Sequence, residues 1–167
     1  MANWCAGNIR LRGKRAAIAE FLRDGLCVTG HLPGSFDVVE HPVEITEFYG
    51  DYIVKDPTEK DMAFAAMYIK GTRRNFIRSK HFEVYLDEDA EAVQTVCIDD
   101  FEAAWGVIPE PYVEISRKYG LDIHIFGFER GMEFMQEVEV VNGELIRNEE
   151  TTYDDWVWDC PMPNMGG

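Results

Sequence analysis

Carboxylates dominate the side chains that could do chemistry here. Asp99-Asp100 and Asp154-Asp155 stand side by side, and Glu133, Glu137 and Glu139 recur at odd positions of one segment. Two carboxylates working as general acid and base must converge on one substrate. Neighbours on a strand point to opposite faces, so neither Asp pair is suited to share a site. Thiols and imidazoles are the other reactive groups. Cys5, Cys27, Cys97 and Cys160 contain no C-x-x-C spacing, and His31, His41, His81 and His124 are equally scattered. Structural zinc sites draw ligands in close pairs, because a short turn presents two at once. We therefore expect no metal, no cofactor and no catalytic residue. Cys5 and Cys97 are read as small buried apolar side chains, and His124 as a structural histidine on a strand. Gly-x-Gly-x-x-Gly, a Walker loop and Gly-x-Ser-x-Gly are absent from the sequence, so nucleotide binding and hydrolase chemistry have no motif behind them. The expectation is a protein that binds, not an enzyme.

Two binding chemistries follow from the residue types. Trp4 shares a strand face with Arg10 and Arg12, and residues 71–82 add Arg73, Arg74, Arg78 and Lys80 with no acid. An aromatic among arginines on an open sheet is how some RNA-binding sandwiches stack bases, which makes a single-stranded nucleic-acid or ligand module one reading. The other is that Trp4 packs beneath Trp105, Trp156 or the 31–60 segment. Charge offers the second chemistry. Thirty-one acids against sixteen bases leave a net charge of −15, and the acids are blocked: residues 83–102 hold eight and no base, residues 121–167 eleven and two bases. Duplex DNA binders need Lys and Arg to replace counterions, so direct duplex binding is not expected. A basic partner is. Glu133, Glu137 and Glu139 share one face of a strand whose other face carries Phe134, Val138 and Val140. Same-face neighbours stand roughly 7 Å apart, about twice the ~3.4 Å phosphate spacing of one DNA strand. Glu149, Glu150, Asp154, Asp155 and Asp159 are close enough in sequence to fill the gaps. Glu133, Glu137, Glu139, Glu149, Glu150, Asp154 and Asp155 thus form the candidate partner-binding set. They would imitate nucleic acid toward a protein complex with a basic nucleic-acid-binding groove; the plainer alternative is a solvated acidic surface.

These groups need a scaffold, and 167 residues with 46% hydrophobic content suit one domain with its own core. No apolar run reaches the ~18–20 residues of a membrane span. The start lacks a signal-peptide pattern, so a cytoplasmic protein is expected. Trp4–Leu11 alternates as a strand, and Lys14–Asp24 carries a helical stripe of Ala17, Ile18, Phe21 and Leu22 stopped at Gly25. Pro33, Gly34, Pro42, Gly50 and Pro57 punctuate residues 31–60, read as an irregular insertion with one short strand near Tyr49–Val54. Strands are expected at Met62–Ile69, around Phe82–Leu86, at Val93–Ile98 and at Leu121–Phe128. A second helix begins near Pro109 and Pro111 with Tyr112, Ile115 and Tyr119 on one side, a Glu114–Lys118 pair and a stop at Gly120. Met132–Val141 and Glu144–Arg147 flank Asn142-Gly143, the favoured two-residue hairpin turn. This order reads as an α+β split βαβ sandwich, two helices on one face of an antiparallel sheet, with a C-terminal hairpin and acidic tail over about 132–167. The other sheet face would be open, or covered by the 31–60 segment and the C-terminal residues.

Met1–Gly13, M-A-N-W-C-A-G-N-I-R-L-R-G, resembles the opening of the Api92-like proteins with a ferredoxin-like domain, with one extra residue between Cys5 and Asn8. Phe101–Pro109, Ser116–Gly120 and Glu129–Phe134 resemble that family's aromatic segment, helix end and following hairpin. The likeness is strongest toward the ends of the chain, and the middle departs from it. It implies a ferredoxin-like α/β fold without an iron–sulfur cluster, and residence in phages, plasmids and genomic islands. It transfers no catalytic residue. Joined to the acid blocks, it leads to the expectation of a phage or mobile-element accessory protein that inhibits a host defence complex of the CRISPR or restriction type; the alternatives are the single-stranded nucleic-acid or ligand module and a structural or assembly protein.

Overall fold

Period-two alternation governs the first element. In β1 (Trp4–Lys14) Cys5, Ile9 and Leu11 are buried while Arg10, Arg12 and Lys14 are exposed. The computed structural model describes residues 3–32, 34–58, 62–155 and 158. A single helical turn and a half follows as α1 (Arg15–Glu20), continued by a wider π-helical turn over Phe21–Gly25. Ile18, Phe21 and Leu22 bury the stripe read from the sequence. The chain then runs through β2 (Leu26–His31), β3 (Val38–His41), β4 (Glu44–Phe48), β5 (Asp51–Lys55), β6 (Ala63–Ile69), β7 (Asn75–Ile77), β8 (His81–Val84) and β9 (Val93–Ala104). After α2 (Glu110–Tyr119) come β10 (Asp122–Glu129), β11 (Phe134–Val141) and β12 (Glu144–Thr152).

Nine strands form one sheet in the order β12-β11-β10-β1-β9-β7-β6-β2-β3, every neighbouring pair antiparallel. A second, three-stranded sheet has the order β4-β5-β8. The expected ferredoxin-like α+β sandwich is therefore corrected: this is a mostly β structure with two short helices. The reason is coverage. Helices of six and ten residues are only ~9 and ~15 Å long, whereas nine strands ~4.8 Å apart span roughly 40 Å. The three-stranded sheet completes the cover. Its Tyr52 and Val54, with Val84, lie in the same apolar core as Ile18, Phe21, Tyr112, Ile115, Leu11, Ile98 and Ile125.

Residues 31–60 are no irregular insertion: besides β5, the short strand expected near Tyr49–Val54, they hold β3 and β4. β3 extends the edge of the large sheet, and β4 and β5 pack on its helix side, not on the opposite face. Arg15 and Arg23 both stack on the Tyr52 ring, 5.5 Å from its centre, and Arg15 donates to the Gly50 carbonyl and to Glu47. Tyr112, Ile115 and Tyr119 are buried as the stripe demands. Glu114 pairs with Arg117 at 2.9 Å in place of Lys118, whose ammonium lies over the Tyr119 ring.

Candidate functional site

The acidic hairpin is built from its turn outward. Asn142 and Gly143 take φ of 51° and 74°, both in the left-handed region that a two-residue hairpin turn requires and that Asn and Gly tolerate best. The turn is fastened to the body: Asn142 N–H donates to Asp122 Oδ1 (2.9 Å) and Gly143 N–H to Ser116 Oγ (2.9 Å). From it β11 and β12 diverge with Glu139 opposite Arg147, Glu137 opposite Glu149 and Gln136 opposite Glu150. Between Glu139 and Val140 the register shifts. Val140 faces Leu145, so Ile146 is an extra residue bulging from β12.

This register divides the seven candidate carboxylates. Glu137, Glu139 and Glu149 share the open face of the sheet, and Glu150 points to the other side. Glu133 lies outside β11, in the preceding turn with φ of 56°, and its carbonyl accepts from Tyr153 N–H. Asp154 and Asp155 are exposed beyond β12. Asp159 lies outside the described residues. Glu137 is no free anion. His124 Nε2–H donates to its Oε1 at 2.7 Å, and Arg147 Nη1 stands 2.8 Å from the same oxygen. The His124 hydrogen bond first, then Arg147, hold the Glu137 carboxyl below its ordinary range, and the same pairing raises Arg147. Glu149, Glu150, Asp154 and Asp155 are the exposed acids of the set on and beyond the outer strand, whereas Glu137 and Glu139 are half-buried.

The open face carries a second arrangement. Trp4 and Phe76 meet edge to face with ring centres 6.0 Å apart, and Tyr68 lies 5.7 Å from Phe76. Arg78 and Arg74 cover the Trp4 ring at 4.7 and 5.4 Å from its centre, and Arg78 also pairs with Glu102. Trp4 thus packs under the arginines of the basic segment, not under Trp105. Trp156 lies outside the described residues. Farther along β1, Arg12 donates through Nε and Nη2 to Asp122 Oδ2, at 2.9 and 2.7 Å. Arg10, Arg12, Thr95, Asp122, His124 and Glu139 line a cavity of about 210 Å³. Cys97 is exposed on this face, against expectation, because β9 contributes its odd residues to it up to the bulge at Asp99 and Asp100; Cys5 and Cys27 are buried, and Cys160 lies outside the described residues. Burial raises the Cys5 thiol to about 12. Asp99 and Asp100 do not alternate simply. Together they oppose Asn8 in a bulge, with Asp100 at φ 58° and accepting from the Ser79 hydroxyl.

Sequence reasoning missed the outer flank of the hairpin. Leu145 and Ile146 are 44% and 58% exposed. Beside them a groove of about 460 Å³ runs between α2 and β12, lined by Glu110, Val113, Glu114, Arg117, Glu144 and Leu145. The signal was present as an apolar pair beginning two residues past the Asn-Gly turn, but only the packing of α2 beside β12 turns it into a groove. Among the described residues no helix is long and apolar enough to cross a membrane, and no three His, Cys, Asp or Glu side chains are grouped to hold a metal. Comparison with protein-family models, curated proteins and solved structures finds no match to this chain.

Proposed function

We propose that the chain is a non-enzymatic accessory protein that binds a basic, nucleic-acid-handling protein and keeps nucleic acid out of its groove. One observation supports this above others. The outermost strand and the residues after it expose Glu144, Glu149, Glu150, Asp154 and Asp155, and the single base among them, Arg147, is held by Glu137. Such a surface attracts a Lys- and Arg-lined groove over distances near the Debye length, ~8 Å at physiological salt. In this reading Glu149, Glu150, Asp154 and Asp155 meet the partner. Glu137 and Glu139 support them from within the hairpin by keeping Arg147 from cancelling the outer charge. The setting, a phage or mobile element acting in the cytoplasm of a bacterial host against a CRISPR or restriction complex, rests on the resemblance of the sequence segments alone.

A competition assay tests the reading. A basic nuclease complex is loaded with a labelled oligonucleotide and titrated with the chain. Release of the label, abolished by the double variant Glu149→Lys/Glu150→Lys, is the expected result. A chain that binds the labelled oligonucleotide itself at low salt would favour the second reading, a single-stranded nucleic-acid module. The Trp4–Phe76–Tyr68 row with Arg74 and Arg78 supports that alternative. Retention of the label by every complex tried would remove the first.

A further inference from the structure

Backbone accounting singles out β12. Among the described residues it closes the nine-stranded sheet and pairs with β11 alone. In an antiparallel ladder alternate residues turn N–H and C=O away from the partner, so the far side of β12 presents a row of unpaired donors and acceptors. The row is regular from Arg147 to Thr152, where consecutive residues face Glu139 to Phe134 without interruption. At ~3.4 Å per residue that is roughly 20 Å of strand. All of it is exposed except Arg147, which is half-buried. The side chains state which strand would fit. Glu149 lies on the open face and Glu150 on the opposite face, so the edge is acidic on both sides at one point. Past the Ile146 bulge the groove between α2 and β12 remains acidic on balance, with Glu110, Glu114 and Glu144 against the single base Arg117, which Glu114 holds at 2.9 Å.

We infer that β12 is a strand-addition site: an extended, basic segment of the partner protein pairs with Arg147–Thr152, placing two consecutive Lys or Arg residues opposite Glu149 and Glu150. Directly opposed side chains in such a ladder stand ~4.5–5.5 Å apart, close enough for ion pairs on both faces at once. Main-chain hydrogen bonds supply the affinity, and the adjacent bases supply the choice of strand. A second copy of this chain is a poor occupant. Its own β12 brings Glu149 and Glu150, and the other end of the large sheet, β3, brings Glu40. Like charges directly opposed are destabilising. The mode rests on the proposed binding of a basic protein and adds to it how the contact is made.

The probe is a capped synthetic peptide, Thr-Val-Thr-Lys-Arg-Thr-Val-Thr, with two isomers N-methylated on alternate residues so that each has one edge blocked. Titration of the full chain is followed by calorimetry and by amide hydrogen exchange. The expected result is that the parent peptide and one isomer bind alike, while the other loses about tenfold or more, the weight of one or two backbone hydrogen bonds. Exchange slows at residues 147–152. Glu149→Lys/Glu150→Lys should lose the parent peptide and accept its Glu-Glu counterpart. The inference is overturned if both isomers bind as the parent does, if no peptide binds, if protection falls on β3, or if β12 protection follows self-association of the chain. Oligonucleotide displacement with a silent peptide would retain the proposed activity and end the strand-addition mode. Peptide pairing without displacement would retain the mode and end the proposed activity.

Discussion

Trp4 is held on the open face by charge as well as by apolar contact, with Arg78 and Arg74 over its ring and Phe76 against its edge. It is half-buried, so Trp4→Ala should cost about 2 kcal/mol, less than the ~3–5 of a fully buried aromatic. Denaturant titration measures it, and unchanged stability with lost oligonucleotide binding would move weight to the second reading. Glu137 gives a pH-dependent companion. Its folded-state pKa lies below the ordinary 4.5, so the stabilisation is complete above the ordinary value and disappears as pH falls through the lowered one. Glu137→Gln should therefore cost about 0.5–1 kcal/mol at neutral pH, with wild type and variant converging in acid. Urea midpoints taken from about pH 7 down to about pH 3 test this. A gap that persists in acid would mean the contact acts through shape, not charge. The company of Trp4 and the basic segment was legible in the sequence, but the Glu137 contact was not, because His124, Glu137 and Arg147 meet only through the register of β10, β11 and β12.

At the scale of the element, the legible parts were those with a strong local period. The stripe of α2, the alternation of β1 and β10, and the Asn142-Gly143 turn all name their own structure. β5 falls on the short strand expected near Tyr49–Val54, but β3 and β4 did not name theirs. β3 and β4 are four and five residues long, largely exposed, and set between Pro and Gly residues, so no window over them shows a sustained pattern. The sheet order was hidden for a different reason: β7 and β6 intervene between β9 and β2, a pairing that local sequence does not encode. One close approach in that sheet is open to test. A Cβ on Gly7 would stand 1.9 Å from the Phe126 carbonyl oxygen on β10. Gly7→Ala should push the two strands apart and cost about 1–3 kcal/mol, the usual penalty of overfilling a packed interior. A melting temperature equal to wild type would show that the strands can shift to admit the methyl group.

For the molecule as a whole, the question is whether position or bulk matters in a net charge of −15. Glu110 and Glu114, remote from the hairpin in sequence, line the groove beside Leu145 and are unsuited as a control. Glu44 and Glu88 are exposed and lie on the second sheet and in the loop after β8. Glu149→Lys/Glu150→Lys and Glu44→Lys/Glu88→Lys change net charge equally. The first pair should weaken partner binding at least tenfold and flatten its salt dependence; the second should act mainly on the association rate. Both should leave unfolding within about ±0.5 kcal/mol of wild type, as exposed substitutions do. Equal losses from the two pairs, read by stopped-flow association at two salt concentrations, would reduce the surface to bulk charge.

The position of β1 also governs when the molecule can form. Ile9 pairs with Ile98 on one side and Ile125 on the other, so the first strand made is flanked by two of the last. During synthesis its apolar face of Cys5, Ile9 and Leu11 waits while more than half the chain emerges. Long loops must close before those ladders contribute, which places refolding in the slow class of non-local β proteins, on the order of milliseconds to seconds. Pulse-labelled exchange should find the β11–β12 hairpin protected before β1, since its turn needs no distant partner. In refolding, the acidic edge would then be in place while the centre of the sheet was still assembling, when repulsion between partly folded copies is most useful.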